Sequence, residues 1–423
     1  MLTQAPKGTR DILPSQSYKW QHIESVIRDV CRIFGYRETR TPTFEHTELF
    51  MRGVGGTTDI VQKEMYTFDD KGGRSVTLKP EGTAGVARSF IENGLFNEPL
   101  PLKMYYLAMP IFRYENPQSG RQREHHQFGV EVFGAGEPSI DAEVIRLAMR
   151  VFEKLGVPGL KLYINSIGCP ACRPAYHEKL KAYFKPQIGA MCGACRERYG
   201  KNPLRLLDCK VEECKKAASE APAMVDWLCG ECSAHFEKLK EYLGALNVSY
   251  KIDPFIVRGL DYYTKTVFEI VSEDIGAQGT VCGGGRYDRL IEELGGPPTP
   301  AVGFGMGMER LLLVVENAEV IIPWSPAFDV FIASAGEKAR TASFGLAEKL
   351  RNAGISAECD HMGRSLKAQF KYADKSGCGY TVILGDEELE SGLATVRNMT
   401  DSKEEKADMG TLAAYFEHKL KKR

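Results

Sequence analysis

Three arginines and two polar residues that follow them hold the most distinctive chemistry of this sequence. Arg113, Arg121 and Arg123 are close together in the chain, and Gln127 and Glu131 come shortly after. Guanidinium groups bind phosphates through paired hydrogen bonds, and a carboxylate beside an amide can bind a polar ligand. The stretch therefore indicates a phosphate-binding site next to an acidic surface. A solvated hairpin with ordinary surface charges explains the same residues about as well.

A β-hairpin would position these side chains. Residues 104–114 are rich in strand-forming types, residues 127–133 alternate strictly, and turn-forming residues separate the two segments. Because successive side chains of a strand point to opposite faces, Gln127 and Glu131 share one face. We therefore predict that this face is polar and that the opposite, apolar face packs against a core.

The composition is that of a soluble globular protein. The chain has 423 residues, 43% of them hydrophobic and 26% charged, with a formal net charge of -1. This length predicts two or three domains, and the balanced charge requires any nucleic-acid surface to be local. Residues 1–14 lack the apolar core of a signal peptide, and no run reaches the roughly 18 apolar residues of a membrane span. We expect a cytoplasmic protein without a membrane segment.

A second polar group falls at a predicted strand-to-helix junction. Glu81, Gly82 and Thr83 follow the strand-like residues 75–79 and precede a helical stretch at residues 84–92. Acidic and hydroxyl side chains are favoured at helix N-termini, so capping explains Glu81 and Thr83. The functional alternative is that Glu81 binds a substrate ammonium group.

Eight of the twelve cysteines fall in one lysine-rich, otherwise helical segment, residues 169–245. They form four pairs, and three have the C-x-x-C spacing that lets two thiolates bind one tetrahedral ion. We therefore predict one or two structural zinc sites, with burial as small core residues as the alternative. The pairs are Cys169 and Cys172, Cys192 and Cys195, Cys209 and Cys214, and Cys229 and Cys232.

Polar residues also interrupt a later strand-like run, residues 255–270. Arg258, Tyr262 and Tyr263 in such a run indicate a cleft, because polar groups are costly in a sheet unless they bind a partner. Residues 301–311 predict a glycine-spaced strand that enters a helix. Their G-x-G-x-G spacing differs from the G-x-G-x-x-G of dinucleotide-binding folds, so we reject that interpretation.

The last hundred residues alternate between strand and helix patterns. Beyond a linker at residues 322–326, this alternation predicts a small α/β domain with a partly parallel sheet. Arg364, Lys367, Lys371 and Lys375 recur at helical spacing and predict a basic stripe. Solvation explains such a stripe, and binding of a phosphate backbone is the functional alternative.

Together these stretches resemble the histidyl-tRNA synthetases, a family of class II aminoacyl-tRNA synthetases, over nearly the whole chain. The resemblance implies an α+β fold with an antiparallel six-stranded sheet flanked by helices. It implies a catalytic domain at residues 1–325, with the helical insertion at residues 169–245, and a C-terminal α/β anticodon-binding domain at residues 327–423. The resemblance begins with residues 7–14. Pro42 lies in the first class II motif, residues 112–134 resemble the second motif, and residues 303–311 resemble the third. Residues 258–263 and 283–288 resemble the two signatures of the histidine enzyme.

The resemblance also implies roles for individual residues in binding histidine. Glu81, Thr83 and Gln127 would hold the ammonium group, and Glu131 and Tyr263 would bind the imidazole. Two polar partners on the ring nitrogens would reject amino acids that leave those partners unpaired. The complete implied set is Glu81, Gly82, Thr83, Gln127, Glu131, Tyr262 and Tyr263.

On the ATP side, the resemblance implies that Arg113 binds the α-phosphate and that Arg121 and Arg310 bind the γ-phosphate end. Arg258 would contact both the histidine carboxylate and the α-phosphate, so Arg258 and Arg113 are the implied catalytic residues. Mg²⁺ would accompany ATP. The chain departs from the family at His125, where a phenylalanine that stacks on adenine is common.

The implied partners are L-histidine, ATP and tRNA(His), with Arg364, Lys367 and Lys371 contacting the tRNA and a homodimer as the assembly. Two rivals stay open. A non-catalytic paralogue that regulates ATP phosphoribosyltransferase would be expected to lack Arg258 and the segment from Asp329 onward, and both are present. A zinc-dependent RNA-binding protein without catalysis leaves the polar strand faces unexplained.

Overall fold

The chain divides into two compact units, Met1–Ile322 and Pro323–Arg423. Within the part of the chain that the structure describes, no helix is long and apolar enough to cross a membrane. The structure is a computed structural model, and it describes residues 3–55, 58, 60–117, 122–209, 211–258, 260–273 and 279–420.

The larger unit contains two sheets with helices packed around them. Its strands are β1 (Arg37–Glu38), β2 (Phe44–His46), β3 (Tyr66–Asp69), β4 (Ser75–Leu78), β5 (Leu102–Phe112), β6 (Glu124–Phe133), β7 (Lys161–Ser166), β8 (Lys251–Ile252), β9 (Thr264–Val271), β10 (Thr280–Arg286) and β11 (Ala301–Gly307). Its α-helices are α1 (Pro14–Ile33), α2 (Thr47–Phe50), α3 (Thr83–Glu92), α4 (Pro138–Lys154), α5 (Arg173–Phe184), α6 (Gly193–Lys201), α7 (Glu212–Ala218), α8 (Gly230–Ala245), α9 (Leu290–Glu293) and α10 (Met308–Asn317).

The main sheet has eight strands in the order β1-β5-β6-β11-β10-β9-β7-β8. The predicted six-stranded antiparallel sheet is therefore wrong in strand number and in direction. The six strands from β5 to β7 pair antiparallel, but β1 and β8 add parallel pairs at the two edges. Each edge strand has two residues, which is too short for a periodic pattern in the sequence. Strands β2, β4 and β3 form a separate three-stranded sheet.

The predicted hairpin is present as β5 and β6. Met104 lies opposite Glu131 in its antiparallel register. Phe128, Val130 and Val132 point into the main hydrophobic core, which includes residues of α1, α4, α8 and α10. The apolar face of the hairpin is thus anchored, and the face that carries Glu131 is left for other contacts.

The predicted strand at residues 255–270 is only partly correct, because β9 begins at Thr264. The carboxamide of Asn165 donates hydrogen bonds to the carbonyl oxygens of Pro254, at 3.3 Å, and Ile256, at 3.2 Å. Because a side chain satisfies these carbonyls, the segment needs no neighbouring strand. Arg258, Tyr262 and Tyr263 therefore lie in an irregular segment that leads into β9.

A buried ionic network links the insertion to the sheet. The Asp141 carboxylate on α4 accepts hydrogen bonds from Arg286 Nη2 at 2.6 Å, Thr266 Oγ1 at 2.9 Å and His235 Nε2 at 2.6 Å. Burial alone would raise the pKa of Asp141, but the charge of Arg286 and the hydrogen bond from His235 together lower it. His235 belongs to α8, so the last helix of the insertion is bound to the strands that carry Thr266 and Arg286.

The smaller unit is an α/β fold with a partly parallel sheet, as predicted. The strand order is β13-β12-β14-β15-β16, where β12 pairs parallel with β13 and β14, and the other pairs are antiparallel. The elements are β12 (Val330–Ser334), α11 (Glu337–Asn352), β13 (Ala357–Cys359), α12 (Leu366–Ser376), β14 (Tyr380–Leu384), α13 (Asp386–Ser391), β15 (Leu393–Asn398), β16 (Glu404–Asp408) and α14 (Leu412–Leu420).

The predicted basic stripe is shorter than expected. Lys367 and Lys371 are exposed one turn apart on α12, but Arg364 precedes the helix. The Arg364 guanidinium pairs with Asp360 at 3.0 Å and lies 4.5 Å from the ring centroid of Tyr372. The helix therefore presents lysines, while Arg364 is held by local partners.

Candidate functional site

The Glu131 carboxylate is fully buried at the centre of the candidate site. Thr83 Oγ1 donates a hydrogen bond to Glu131 Oε1 at 2.8 Å, and the Tyr287 hydroxyl donates one to Oε2. Burial raises the pKa of Glu131 to about 8. The opposite residue on β11 is Gly303, where an added Cβ would collide with this carboxylate. The glycine-spaced strand therefore makes room for a buried acid.

The Glu81 carboxylate lies at the start of α3. It accepts hydrogen bonds from the backbone N–H groups of Thr83 and Ala84, each at 2.7 Å. Gly82, which lies between Glu81 and Thr83 in the chain, is buried. The capping explanation of Glu81 is therefore present in the structure. Each carboxylate oxygen can accept a further hydrogen bond, so capping and ammonium binding are compatible. Burial raises the pKa of Glu81 above its ordinary value.

Tyrosine rings line the rest of the pocket around Glu131. Tyr262 and Tyr263 are each 5% exposed, and their ring centroids are 4.7 Å apart. The Tyr287 centroid lies 5.5 Å from that of Tyr262 and 6.4 Å from that of Tyr263. The Tyr106 hydroxyl donates a hydrogen bond to Gln127 Oε1 at 3.4 Å. Phenol groups next to a carboxylate form a pocket that can hold a small nitrogen-bearing ring.

Arg258 is positioned by an acidic residue on the following strand. Its guanidinium pairs with the Glu269 carboxylate, which also accepts a hydrogen bond from Thr280 Oγ1 at 2.8 Å. At Gly283 an added Cβ would lie 2.5 Å from both terminal nitrogens of Arg258, so a larger residue there would displace this guanidinium. Arg258 Nε is buried and has no hydrogen-bond partner. A buried donor without a partner is suited to binding an anionic ligand.

Arg113 lies near Arg258 at the end of β5. Its Nε donates a hydrogen bond to the carbonyl oxygen of Pro80 at 2.7 Å. Burial lowers the pKa of Arg113, and the positive charge of Arg258 acts in the same direction. The two guanidinium groups repel each other, so a phosphate bound between them would stabilise both positive charges.

The structure describes two of the three remaining residues that are predicted to bind ATP. Arg310 on α10 donates a hydrogen bond to the carbonyl oxygen of Thr280 at 2.7 Å. His125 lies on β6 opposite Ile111. Arg121 lies outside the described residues.

The structure brings the predicted histidine-binding residues into one connected pocket. Sequence reasoning missed three of its members: Tyr287, Tyr106 and Glu269, which hold Glu131, Gln127 and Arg258 respectively. Tyr287 falls within residues 283–288, so the signature contained a signal for it. Tyr106 and Glu269 have no such signal, because they read as ordinary strand residues and their contacts depend on strand register.

The eight cysteines of the insertion form two groups of four. Within each group the four Sγ atoms all lie within 4.8 Å of one another, and all eight thiols are free. Four convergent thiols fit the ligand set of a structural zinc ion. The groups are Cys169, Cys172, Cys229 and Cys232, named here the terminal cluster, and Cys192, Cys195, Cys209 and Cys214, named here the internal cluster.

A mixed sheet with six antiparallel central strands, buried acids and guanidinium groups, followed in the chain by a small α/β unit, agrees with the resemblance to class II aminoacyl-tRNA synthetases. The family described as Histidyl-tRNA synthetase matches residues 8–171 and 185–311, and the Anticodon binding domain family matches residues 329–419.

Individual proteins agree with these matches. The chain is 58% identical over 404 residues to a Histidine--tRNA ligase of Caldanaerobacter subterraneus subsp. tengcongensis, with 96% of this chain and 97% of the relative covered. The crystal structure of apo S. aureus histidyl-tRNA synthetase is 40% identical, with a TM-score of 0.84 and coverage of 98% of this chain and 100% of that one. The chain belongs to the histidyl-tRNA synthetase family.

A third similarity concerns the fold alone. An ATP phosphoribosyltransferase regulatory subunit/histidyl-tRNA synthetase from Bacillus halodurans C has a TM-score of 0.65 at 24% identity, and 91% of this chain and 99% of that chain are covered. This fold therefore occurs in proteins with different described roles, and the residues of the site must distinguish them.

Proposed function

We propose that the chain activates L-histidine with ATP to give histidyl-adenylate and transfers the histidyl group to the 3′ end of tRNA(His). The observation that carries the proposal is the buried Glu131 carboxylate, which accepts hydrogen bonds from Thr83 and Tyr287. The charges of Glu131 and Arg258 both act on the hydroxyl of Tyr263, so the two groups lie in the same site. Relatives that are 54–58% identical over nearly the whole chain are named Histidine--tRNA ligase, which supports it.

For histidine, the pocket supplies a carboxylate at each end. Glu81, with Gly82, Thr83 and Gln127, would receive the ammonium group, and Glu131, with Tyr262 and Tyr263, would receive the imidazole. Amino acids without ring nitrogens would leave the buried Glu131 without a ligand partner. Selection of histidine over other amino acids would therefore rest on the free-energy penalty for leaving Glu131 without a hydrogen-bond partner.

For the reaction, the histidine carboxylate attacks the α-phosphorus of ATP, and the bond to the departing pyrophosphate breaks. Arg113 and Arg258 would neutralise the charge that develops on the α-phosphate, while Arg121 and Arg310 bind the γ-phosphate end and His125 stacks on adenine. Mg²⁺ would accompany ATP and would offset part of the charge of its phosphates. The protein therefore acts by positioning and charge, and needs no nucleophilic side chain.

Further features of the proposal concern the rest of the molecule. Arg364, Lys367 and Lys371 would contact tRNA, and residues 327–423 would act as the anticodon-binding domain beside a catalytic domain at residues 1–325. We also propose a homodimer, a cytoplasmic location and structural zinc in the insertion at residues 169–245. The four-thiol geometry of both cysteine clusters supports the zinc assignment.

The test is exchange of labelled pyrophosphate into ATP, measured with each of the twenty amino acids. We expect exchange with histidine only, followed by charging of tRNA(His) when the tRNA is added. A regulatory paralogue or a purely RNA-binding protein would give no exchange with any amino acid, and that result would overturn the proposal.

A further inference from the structure

The terminal cluster joins the two ends of the cysteine-rich insertion. Cys169 and Cys172 lie at the start of α5, while Cys229 and Cys232 lie at the start of α8. The internal cluster joins residues that all lie between those ends. Two separate groups of four cysteines therefore predict two ions per chain.

The sulfur separations favour a metal over disulfides. Cys169 Sγ lies 3.6 Å from Cys172 Sγ and 3.9 Å from Cys229 Sγ. A tetrahedral ion with Zn–S bonds of about 2.3 Å places its ligand sulfurs about 3.8 Å apart. A disulfide would require about 2.05 Å. The spacing is thus that of thiolates around one ion.

The backbone also prepares the thiols of the terminal cluster for a metal. The backbone N–H of Cys229 donates a hydrogen bond to Cys172 Sγ at 3.1 Å. Cys172 and Cys229 are the N-cap residues of α5 and α8, where the helix dipole favours negative charge. Hydrogen bonds of this kind orient the ligands of structural metal sites.

Both halves of the terminal cluster contact the segment that carries the pocket tyrosines. From the α5 side, Arg173 donates through Nη2 to the carbonyl oxygen of Tyr263, and the Lys265 backbone N–H donates to Gly168 O at 2.8 Å. From the α8 side, Glu231 Oε1 accepts a hydrogen bond from Lys265 Nζ at 2.8 Å. Glu231 lies between Cys229 and Cys232, so each cysteine pair is next to a residue that holds residues 263–265.

An ion in this cluster would fix the two helix starts relative to each other. The described residues 255–258 and 260–263 belong to no strand, so their position depends on a few contacts, among them the side-chain bonds of Asn165 and Arg173 and the backbone bond from Asp261 to Val54. Without a cross-link, the start of α5 and the start of α8 can separate, and the backbone at Tyr263 loses its anchors. The stretch between Cys195 and Cys209 contacts the same segment once, where the Asn202 carboxamide donates a hydrogen bond to Asp261 Oδ1 at 3.1 Å, whereas the Arg173 bond reaches the backbone of Tyr263 itself.

We propose, resting on the function proposed above, that a zinc ion bound by the terminal cluster positions Tyr262 and Tyr263 and is thereby required for histidine affinity. The ion bound by the internal cluster stabilises the insertion and reaches the pocket segment only through the side-chain contact of Asn202 with Asp261, so its loss affects histidine affinity less. Arg173 is the positioning residue that connects the terminal ion to the pocket.

The experiment uses the full chain, purified without added zinc and analysed for bound metal. We expect two zinc ions per chain in the wild type and one in each of two double variants, Cys229→Ser/Cys232→Ser and Cys209→Ser/Cys214→Ser. In pyrophosphate exchange, the terminal variant should raise KM for histidine about tenfold, while KM for ATP stays within about twofold. The internal variant is the matched control and should change both values by less than about twofold.

A second pair of variants keeps the test decisive where a cysteine variant fails to fold. Arg173→Ala should retain both ions and still raise KM for histidine, and Arg173→Lys, which keeps a charged donor group on a shorter reach, should recover part of the affinity. Equal KM values for histidine in the terminal variant and the wild type, or in Arg173→Ala and the wild type, would overturn the proposal. Failure of the proposed function is distinguishable, because the wild type itself would then show no exchange.

Discussion

The candidate site around Glu131 and the cysteine-rich insertion hold their functional side chains by different means. In the pocket, the register of the sheet places Glu131 opposite Gly303, and backbone hydrogen bonds fix both strands. In the insertion, the cysteines lie at the starts of short helices or between them, without a sheet to align them. The sheet defines positions through its own backbone, whereas the insertion relies on a small hydrophobic core and, as we propose, on ions that link its thiols.

This difference teaches where each region is vulnerable. A substitution in the pocket removes one interaction from a scaffold that stays in place, so it changes chemistry more than structure. If the proposed ions are bound, their loss would remove links between helix starts in the insertion and would change local order first. The predictions below test this contrast, beginning with the largest expected effect.

Arg258→Ala should lower the rate of pyrophosphate exchange about 10²–10³-fold, because it removes charge stabilisation at the α-phosphate. Histidine binding, measured by equilibrium dialysis, should remain detectable because the sheet keeps the pocket intact. Arg32→Ala is the control, since that side chain is 73% exposed on α1. A wild-type rate of exchange in the Arg258 variant would refute the catalytic role of Arg258. Unfolding of this variant would contradict the expectation that substitutions in the site change chemistry more than structure.

Glu131→Gln should lower kcat/KM for histidine about 100-fold, because the imidazole loses the carboxyl group proposed to hydrogen-bond its ring nitrogen. The same change should stabilise the fold at high pH. Burial raises the pKa of Glu131 to about 8 from an ordinary value of 4.5, so the folded protein holds this proton more tightly than the unfolded chain. The cost of ionisation is therefore absent below about pH 4.5, grows as the pH rises, and is complete above about pH 8.

The measurement is urea unfolding of both proteins at pH 6 and pH 9. The stability advantage of the glutamine variant should be larger at pH 9. Glu237→Gln, a change at an exposed position of α8, is the control and should show no such pH dependence. An advantage that shrinks toward pH 9 would contradict a buried carboxylate with a raised pKa.

Removal of metal by a chelator should increase the rate of tryptic cleavage within residues 185–228 by about tenfold, because these helices lose their cross-links. Cleavage after Lys103 in β5 and after Arg286 in β10 should stay unchanged, since the sheet contains its own hydrogen bonds. Mass spectrometry of the fragments identifies the sites, and added zinc should restore protection. Cleavage at the same rate with and without chelator would remove the contrast between the two regions.

The lysines of α12 provide a reference outside both regions. Lys367→Glu/Lys371→Glu should lower the kcat/KM of tRNA charging about fivefold to tenfold, because each lysine that contacts phosphate is replaced by a repelling charge. Pyrophosphate exchange should stay at the wild-type rate. Lys349→Glu/Lys403→Glu makes the same change of charge at two other exposed positions of this unit. Equal losses of charging in the two double variants would contradict a specific role for α12.

Some of this architecture could be predicted from the sequence, because local patterns encode it. The hairpin of β5 and β6, the strand β11 leading into α10, and the partly parallel sheet of the second unit all follow from periodicity and turn residues. The resemblance to a known family then identified the residues of the pocket. Their individual roles stay predictions until the variants are measured.

Other features depend on contacts between distant residues, and local patterns do not contain them. The sequence pairs Cys169 with Cys172 but does not indicate that Cys229 and Cys232 complete the same cluster, because this requires the starts of α5 and α8 to meet. The Glu269 carboxylate beside Arg258 is likewise set by the approach of an irregular segment to β9.

The Asp141 network has a consequence for the modularity of the chain. One of the three partners of that carboxylate, His235, comes from the insertion, and the other two come from the sheet. A shortened chain without residues 169–245 would leave a buried acid with one fewer hydrogen bond and a gap beside Arg286. The insertion is therefore not a detachable accessory, and transplanting it between relatives would require the acceptor on α4 to be transferred with it.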